Sequence, residues 1–357
     1  MFRYTVKRIL LAVLTCAIIL TLTFFLMKLQ PFPKFIASQQ SQMIAYYDEQ
    51  VRLGYLVKVT GEDASMGTWI WKYSEETGLG SEYFYYVRPI FDQFLSWVRA
   101  IFLEGKWGTS VSIEKNVDAM TIILKGAGGD FLKSRMWTTI KINVWPVLIS
   151  VPTGIALGIW AALKKNTMTD HIISTLVMVF ISIPSFIILT LLIQWLAFDT
   201  GWLPSSWPTA KDSSLRQFQG YIIPTISLSF GSICGYCRAV RAELTEVMSS
   251  DFLLLARTKG LTRNQAIIRH ALKNAFVPIL PSVLAEIIGL LGGSMILETI
   301  YAIPGVGRLY YQAITSNDYN VLMADMALYT IIGLLSGVFL DLSYGFIDPR
   351  IRMGAAK

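Results

Sequence analysis

Residues 142–163 read INVWPVLISVPTGIALGIWAAL, twenty-two positions without a charged side chain. At the helical rise such a run reaches about 33 Å, enough to cross a hydrocarbon core of roughly 30 Å. Working outward, the stretches 9–27, 172–198 and 217–237 are also uncharged. The stretch 274–297 holds one charge, Glu286, and 322–345 holds Asp325 and Asp341 near its ends. This spacing predicts six transmembrane helices in an all-α polytopic membrane protein. Composition agrees, because 54% of the chain is hydrophobic and charged residues make up 15%, against about 25% in soluble chains. A water-soluble core could not hide that much apolar surface.

Lysine and arginine in short flanks orient the spans, since they are held on the cytoplasmic side during insertion. Arg3, Lys7 and Arg8 precede the first span, and Lys164 and Lys165 separate the second from the third. Seven basic residues lie between Arg238 and Lys273, and Arg350, Arg352 and Lys357 finish the chain. The opposite short loops carry only Lys211, Arg216 and Arg308. Both termini are therefore predicted in the cytoplasm. The first apolar run has the basic start of a signal peptide, but its length and the lack of a small-residue cleavage site predict an uncleaved anchor over 1–27. The net charge of +7 then orients helices, and no Lys/Arg run points to nucleic acid.

Residues 28–136 form an extracytoplasmic segment with 12 basic and 12 acidic side chains and 18 aromatics. That balance predicts a folded cap, its aromatics forming a core of their own or lying at the interface; the competing reading is a platform for an external partner. The remainder, 137–357, is predicted to be a five-helix core.

Within that core the loop 242–275, AELTEVMSSDFLLLARTKGLTRNQAIIRHALKNA, is long for a helix connection and has its own pattern. Asp251 is placed to cap a helix over 252–257. Gly260 supplies a break, and Thr262 with Gln265 makes a capping box. On the second helix Ile267 with Ala271 and Ile268 with Leu272 define an apolar stripe facing away from Arg263, Arg269 and Lys273. A short apolar and basic helix held outside the membrane suits a seat for a soluble subunit, or equally an anionic lipid surface.

The run DFLLLARTKGLTRNQAIIRHALKNAFVPILP at 251–281 resembles the cytoplasmic coupling loop of permeases of bacterial ABC importers, in the dipeptide and oligopeptide permease family. GKWGTS at 105–110, ISIPSF at 181–186, GWLPSS at 201–206, ETIYAIPGVGRLYYQAI at 298–314, DYNVL and DLSYGFIDPRIR also resemble that family, in its order. Where the general importer signature has Glu-Ala-Ala, this chain has Leu254, Leu255 and Ala256, as peptide-type permeases commonly do. The likeness covers about residues 91–353 and the N-terminal anchor. The segment before residue 91 is longer than the family pattern predicts, and the aromatic stretch 69–86 matches none of its motifs.

The resemblance implies a permease subunit in a bacterial cytoplasmic membrane that forms half of a peptide pathway. Its implied partners are a second homologous permease, two cytoplasmic ATPases holding ATP and Mg, and an extracytoplasmic substrate-binding protein. It seats Asp251, Ala256, Arg257, Lys259, Gly260, Leu261 and Arg269 against an ATPase. Tyr301, Pro304, Gly305 and Arg308 are implied to face the binding protein, a re-entrant cap being the plainer reading. No phosphate-cradling G-x-x-x-x-G-K-[ST] occurs, so this chain is expected to have no catalytic role and no cofactor of its own.

Glu286 stands in mid-span and is expected to face the bundle interior, lining the path or making a structural hydrogen bond. The alternatives are the same machine for nickel, glutathione or another small solute, or an ion-gradient transporter using Glu286. Cys234 and Cys237 have redox spacing but lie in an apolar helix, where inert packing is expected. Gly154/Gly158, Gly289/Gly293 and Gly333/Gly337 predict close-packed faces on three helices, and Pro152 and Pro184 predict kinks.

Overall fold

A computed structural model of the chain describes residues 2–30, 40–74, 81–126 and 129–347, which are mostly helical. Arg350, Arg352 and Lys357 lie outside the described residues. The chain opens with α1 (Phe2–Lys28) and α2 (Gln40–Arg52), then β1 (Leu56–Thr60), β2 (Trp71–Ser74) and β3 (Glu82–Val87), followed by α3 (Ile90–Arg99) and α4 (Ala119–Leu124). Next come α5 (Arg135–Leu163), α6 (Met168–Ile181), α7 (Ser185–Leu192), α8 (Ser214–Gln219), α9 (Ile222–Met248) and α10 (Asp251–Thr258). The short α11 (Arg263–Ala266), α12 (Leu272–Phe276), α13 (Leu280–Gly289) and α14 (Met295–Ile300) lead to α15 (Val306–Thr315) and α16 (Tyr319–Ile347).

Among the described residues, Thr5–Lys28, Arg135–Leu163 and Tyr319–Ser343 are each long and apolar enough to cross a membrane. Two bent pairs have that composition when each is taken as one span. Met168–Ile181 and Ser185–Asp199 meet at 91°, and Arg263–Phe276 and Leu280–Gly289 meet at 50°. Both breaks hold a proline, Pro184 and Pro278, which has no N–H to continue a helix and steers the preceding residue out of helical geometry. By contrast α5 is continuous through Pro152. The stretch 274–297 is not one helix, since it divides into α12, α13 and α14, with Gly293 at φ +56 in the turn before α14. The 217–237 stretch lies mostly in α9, which runs on to Met248 and carries Arg238, Arg241, Glu243 and Glu246.

Two compact units divide the chain. The first comprises 1–12, 135–308 and 332–357. Here α5 lies against α9: a Cβ added at Gly154 would come within 2.7 Å of Tyr236 Cβ, and one at Gly158 within 2.7 Å of Cys237 O. Backbones this close gain dispersion contacts, which matter most where lipid is as apolar as the helix. The other two glycine pairs do not pack this way, because a Cβ at Gly289, Gly333 or Gly337 would meet nothing within 4 Å. Ile142, Leu189, Ile223, Leu297, Tyr301 and Ile303 form one buried cluster. Arg8 and Asp341 pair at 3.1 Å. Cys234 and Cys237 are buried with Val177, consistent with packing.

The second unit comprises 13–134 and 309–331. It corrects the all-α expectation, because the strands form a three-stranded antiparallel sheet in the order β1-β3-β2, with Leu56 opposite Val87 and Trp71 opposite Tyr85. LVKVT and EYFYYV are runs of β-branched and aromatic residues, which fit a pleated, half-buried surface. Along it Tyr47 stacks on Trp71 at 4.6 Å, Trp71 on Tyr73 at 5.6 Å and Tyr73 on Tyr83 at 5.2 Å. Lys58 Nζ lies 4.6 Å from the Tyr83 ring centroid and 2.9 Å from Asp48. A second cluster joins Phe24 of α1 to Tyr55, Trp97 and Met323.

Candidate functional site

The loop of α10, α11 and α12 is built on one buried side. Leu253, Ala266, Ile267, Ala271 and Ala275 pack with Leu244 of α9 and Ala162 of α5. Thr262 and Gln265 form the expected capping box: Thr262 Oγ1 accepts from Gln265 N at 3.3 Å, and Thr262 N donates to Gln265 Oε1 at 3.1 Å. Asp251 is not a cap, which corrects that reading. Ser250 holds the cap position and makes no side-chain cap bond, while Asp251 is the first helical residue, where a carboxylate still favours the helix N-terminus. Gly260 has φ +93 and open space around its Cβ direction, so glycine is needed there for backbone conformation rather than for room.

The opposite side faces outward. Leu254, Leu255 and Ile268 are 60%, 56% and 66% exposed. Arg257, Lys259, Gly260, Arg263 and Arg269 are exposed with them, while Ala256 and Leu261 are half-buried. Ile268 therefore does not join Ile267 and Ala271 in an inward stripe. Ile267, Ala271 and Ala275 keep the buried side at four-residue spacing, while Ile268, one residue on in the π-turn over Ile267–Ala271, stands outside it. None of the four cations forms an ion pair among the described residues. Beside them a cleft of about 440 Å³ is lined by Lys165, Ser249, Asp251, Leu254, Arg257 and Arg263.

An ion pair that the sequence reading missed anchors this end of α9. Arg241 Nε and Nη2 donate to the two oxygens of Asp170 at 2.5 and 2.8 Å, and Asn166 N donates to Asp170 at 3.0 Å. Asp170 is fully buried. Its signal was a carboxylate in the first turn of α6, two residues before the uncharged run that begins at Ile172.

Glu286 of α13 accepts a hydrogen bond from Ser150 of α5 at 3.3 Å. It lines a cavity of about 320 Å³ together with Ser232, Tyr236, Glu243 and Ser282.

The turn between α14 and α15 is organised by Glu298, a second residue the sequence reading passed over. Its Oε1 accepts from Thr139 Oγ1 at 3.0 Å and Ser294 N at 3.4 Å, and its Oε2 accepts from Arg308 N at 2.9 Å. Thr139 Oγ1 in turn accepts from Val306 N at 2.9 Å. A Cβ at Gly305 would lie 2.4 Å from Glu298 Oε2. Tyr301 is buried and its hydroxyl donates to Pro204 O at 2.9 Å, while Arg308 Nη1 donates to Ala302 O at 2.6 Å. Of the four residues expected to face a binding protein, Pro304 is exposed, Arg308 is half-buried, and Tyr301 and Gly305 hold the turn from inside.

The described residues hold apolar helices long enough to cross a membrane, a loop seated on α5 and α9, and a proline-glycine turn closed over a buried glutamate. Residues 154–353 match the family described as binding-protein-dependent transport system inner membrane component, and the chain belongs to it. Its relatives include the dipeptide transport system permease protein of Lactococcus lactis subsp. cremoris, 30% identical over 358 residues, covering 99% of this chain and all of that one. The protein of the same name from Bacillus subtilis is 28% identical and covers 99% of each chain. The oligopeptide transport system permease protein of Salmonella typhimurium is 29% identical over 99% of this chain and all of that one. These alignments include residues 28–90, so the outer segment is not an addition to the length such relatives have.

Proposed function

We propose that the chain is the permease subunit of an ATP-driven importer that takes up peptides across a bacterial cytoplasmic membrane. It spans the membrane six times with both termini in the cytoplasm. The spans are α1, α5, the α6–α7 pair, α9, the region of α13 and α16, and residues 28–136 lie outside. The observation that carries this reading is the exposed apolar and basic face of the loop 251–273, pivoted on Gly260 at φ +93. Full-length similarity to permeases named for dipeptide and oligopeptide transport supports the substrate class.

In this reading the loop seats on a cytoplasmic ATPase, whose ATP and Mg do the chemistry. Leu254, Leu255 and Ile268 supply apolar anchors, and Arg257, Lys259 and Arg269 pair with acidic groups on the partner. A push on the loop reaches α9 and α5 through the packing of Ile267 and Ala271 on Leu244 and Ala162. It reaches α6 through Arg241 and Asp170, so the helices move together as a rigid body. A second homologous permease supplies the other half of the path, which Glu286 lines on this side. A substrate-binding protein docks outside, with Pro304 at the exposed tip of the α14–α15 turn.

The test is gentle affinity purification from the native membrane with mass spectrometry of what remains bound. Two ATPase chains and a second permease are expected. Repeated recovery of this chain alone in a transport-competent form would overturn the reading.

A further inference from the structure

The second unit holds a cavity of about 190 Å³ that the transport reading does not use. It sits beside Lys28, the last residue of the span Thr5–Lys28. Two of its lining residues, Lys28 and Arg88, are cations, and no carboxylate lines it. The Lys28 ammonium lies 3.3 Å from the Tyr55 ring centroid and 5.6 Å from that of Phe24, and it has no ion pair or hydrogen bond among the described residues. Aromatic faces stabilise a cation but satisfy none of its three N–H donors directionally.

Two further groups open on the same space. Gln50 is 6% exposed and Tyr55 3% exposed, both line the cavity, and neither side-chain amide nor hydroxyl has a hydrogen-bond partner among the described residues. Both polar ends open on the cavity, so donors without a protein partner surround an unneutralised cation there, an arrangement that suits an anionic acceptor. Gln93 Nε2 and Asn320 Nδ2, also in the wall, are engaged with Arg88 O at 2.8 Å and Thr109 O at 2.9 Å and help fix its shape.

We propose that this cavity binds the phosphate of an anionic phospholipid headgroup, with Lys28 and Arg88 as charge partners and Gln50 and Tyr55 as hydrogen-bond donors. The lipid source follows from position. Lys28 ends a membrane span whose Leu22 and Leu26 are exposed at helical spacing beside it, with Leu29 exposed just after it, and lysines at span ends stand at headgroup depth. A phosphate held there ties the end of α1 to the sheet and to the start of α16, whose Asn320 and Met323 complete the wall.

The test uses the full chain in its native complex, exchanged into nanodiscs of phosphatidylcholine alone or with one-fifth phosphatidylglycerol, and reads retained lipid by native mass spectrometry. Wild type is expected to keep one phosphatidylglycerol that Lys28→Gln and Gln50→Leu each lose, with at least a tenfold weaker apparent affinity, while Lys28→Arg keeps it. Thermal stability should rise with phosphatidylglycerol in wild type and stay flat in Lys28→Gln, a difference that a misfolded variant would not reproduce because its baseline in phosphatidylcholine would also fall. Equal retention in wild type and Lys28→Gln overturns the site. Displacement of the lipid by millimolar inorganic phosphate, or by a peptide carboxylate, overturns the lipid assignment in favour of a soluble anion.

Discussion

Ser110 Oγ lies 2.6 Å from Asp318 Oδ2, although 208 residues separate them. The same carboxylate oxygen accepts from the backbone N–H groups of Val111, Ser112 and Ile113 at 3.1, 3.0 and 3.3 Å. Asn320 adds a bond to Thr109 O, and Gly108, at φ +90, leaves no space for a Cβ beside the Asn320 side chain. Thus GKWGTS and DYNVL, far apart in sequence, form one buried clamp. Removing its carboxylate strands several donors, each at roughly 1–3 kcal/mol. Asp318→Ala should therefore loosen residues 105–115, read as faster tryptic cleavage at Lys106 and Lys115, while Ser110→Ala has a smaller effect. Unchanged cleavage in Asp318→Ala would show that the clamp is not what orders this segment.

Gly305→Ala should cost folded protein. The added Cβ would stand 2.4 Å from Glu298 Oε2 and 2.5 Å from Thr139 Oγ1, and overpacking of a closed site costs about 1–3 kcal/mol. Gly231→Ala in α9, whose Cβ meets nothing within 4 Å, is the control and should be neutral or mildly stabilising. Thermal stability by size-exclusion fluorescence separates them, and equal melting would remove the tight packing from the account.

Gly260→Asp should leave the chain inserted and stable yet uncouple uptake from ATP hydrolysis. The position is exposed and has φ +93, so a side chain strains a surface turn by roughly 1–2 kcal/mol without disturbing the core. Uptake at the wild-type rate would count heavily against the loop as the ATPase seat.

Asp170→Ala should destabilise by about 1–2 kcal/mol, since it removes a charge-assisted pair but leaves an Arg241 side chain that is one-third exposed and can turn to water. The double change Asp170→Leu with Arg241→Met should recover much of that loss, because two apolar groups need no counter-charge. A double variant as unstable as the single one would argue that the pair has a role beyond charge compensation.

Glu286→Gln should leave uptake driven by ATP and indifferent to the proton gradient. The side chain lines an open cavity and accepts from Ser150, an arrangement an amide can keep through its carbonyl oxygen. A changed gradient dependence, followed by a pH-jump uptake assay, would favour the ion-coupled alternative.

The amino-acid order alone determined the uncharged stretches, the capping box at Thr262 and Gln265, and the break at Gly260. Each rests on the chemistry of a few neighbouring residues: uncharged length, a hydroxyl three positions before a glutamine, a residue without a Cβ. The all-α reading failed at LVKVT and EYFYYV, which lie in the outer segment where the sequence reading predicted a folded cap without assigning its elements, and whose β-branched and aromatic runs fit a sheet. Only the tertiary structure decided which glycine pairs pack, that 274–297 divides into three helices, and that Ile268 points away from the stripe Ile267 begins. The three carboxylates at Asp170, Glu298 and Asp318 belong with these. Each is buried by donors 71, 159 and 208 residues away, and a partner at that separation leaves no periodicity in the sequence to read.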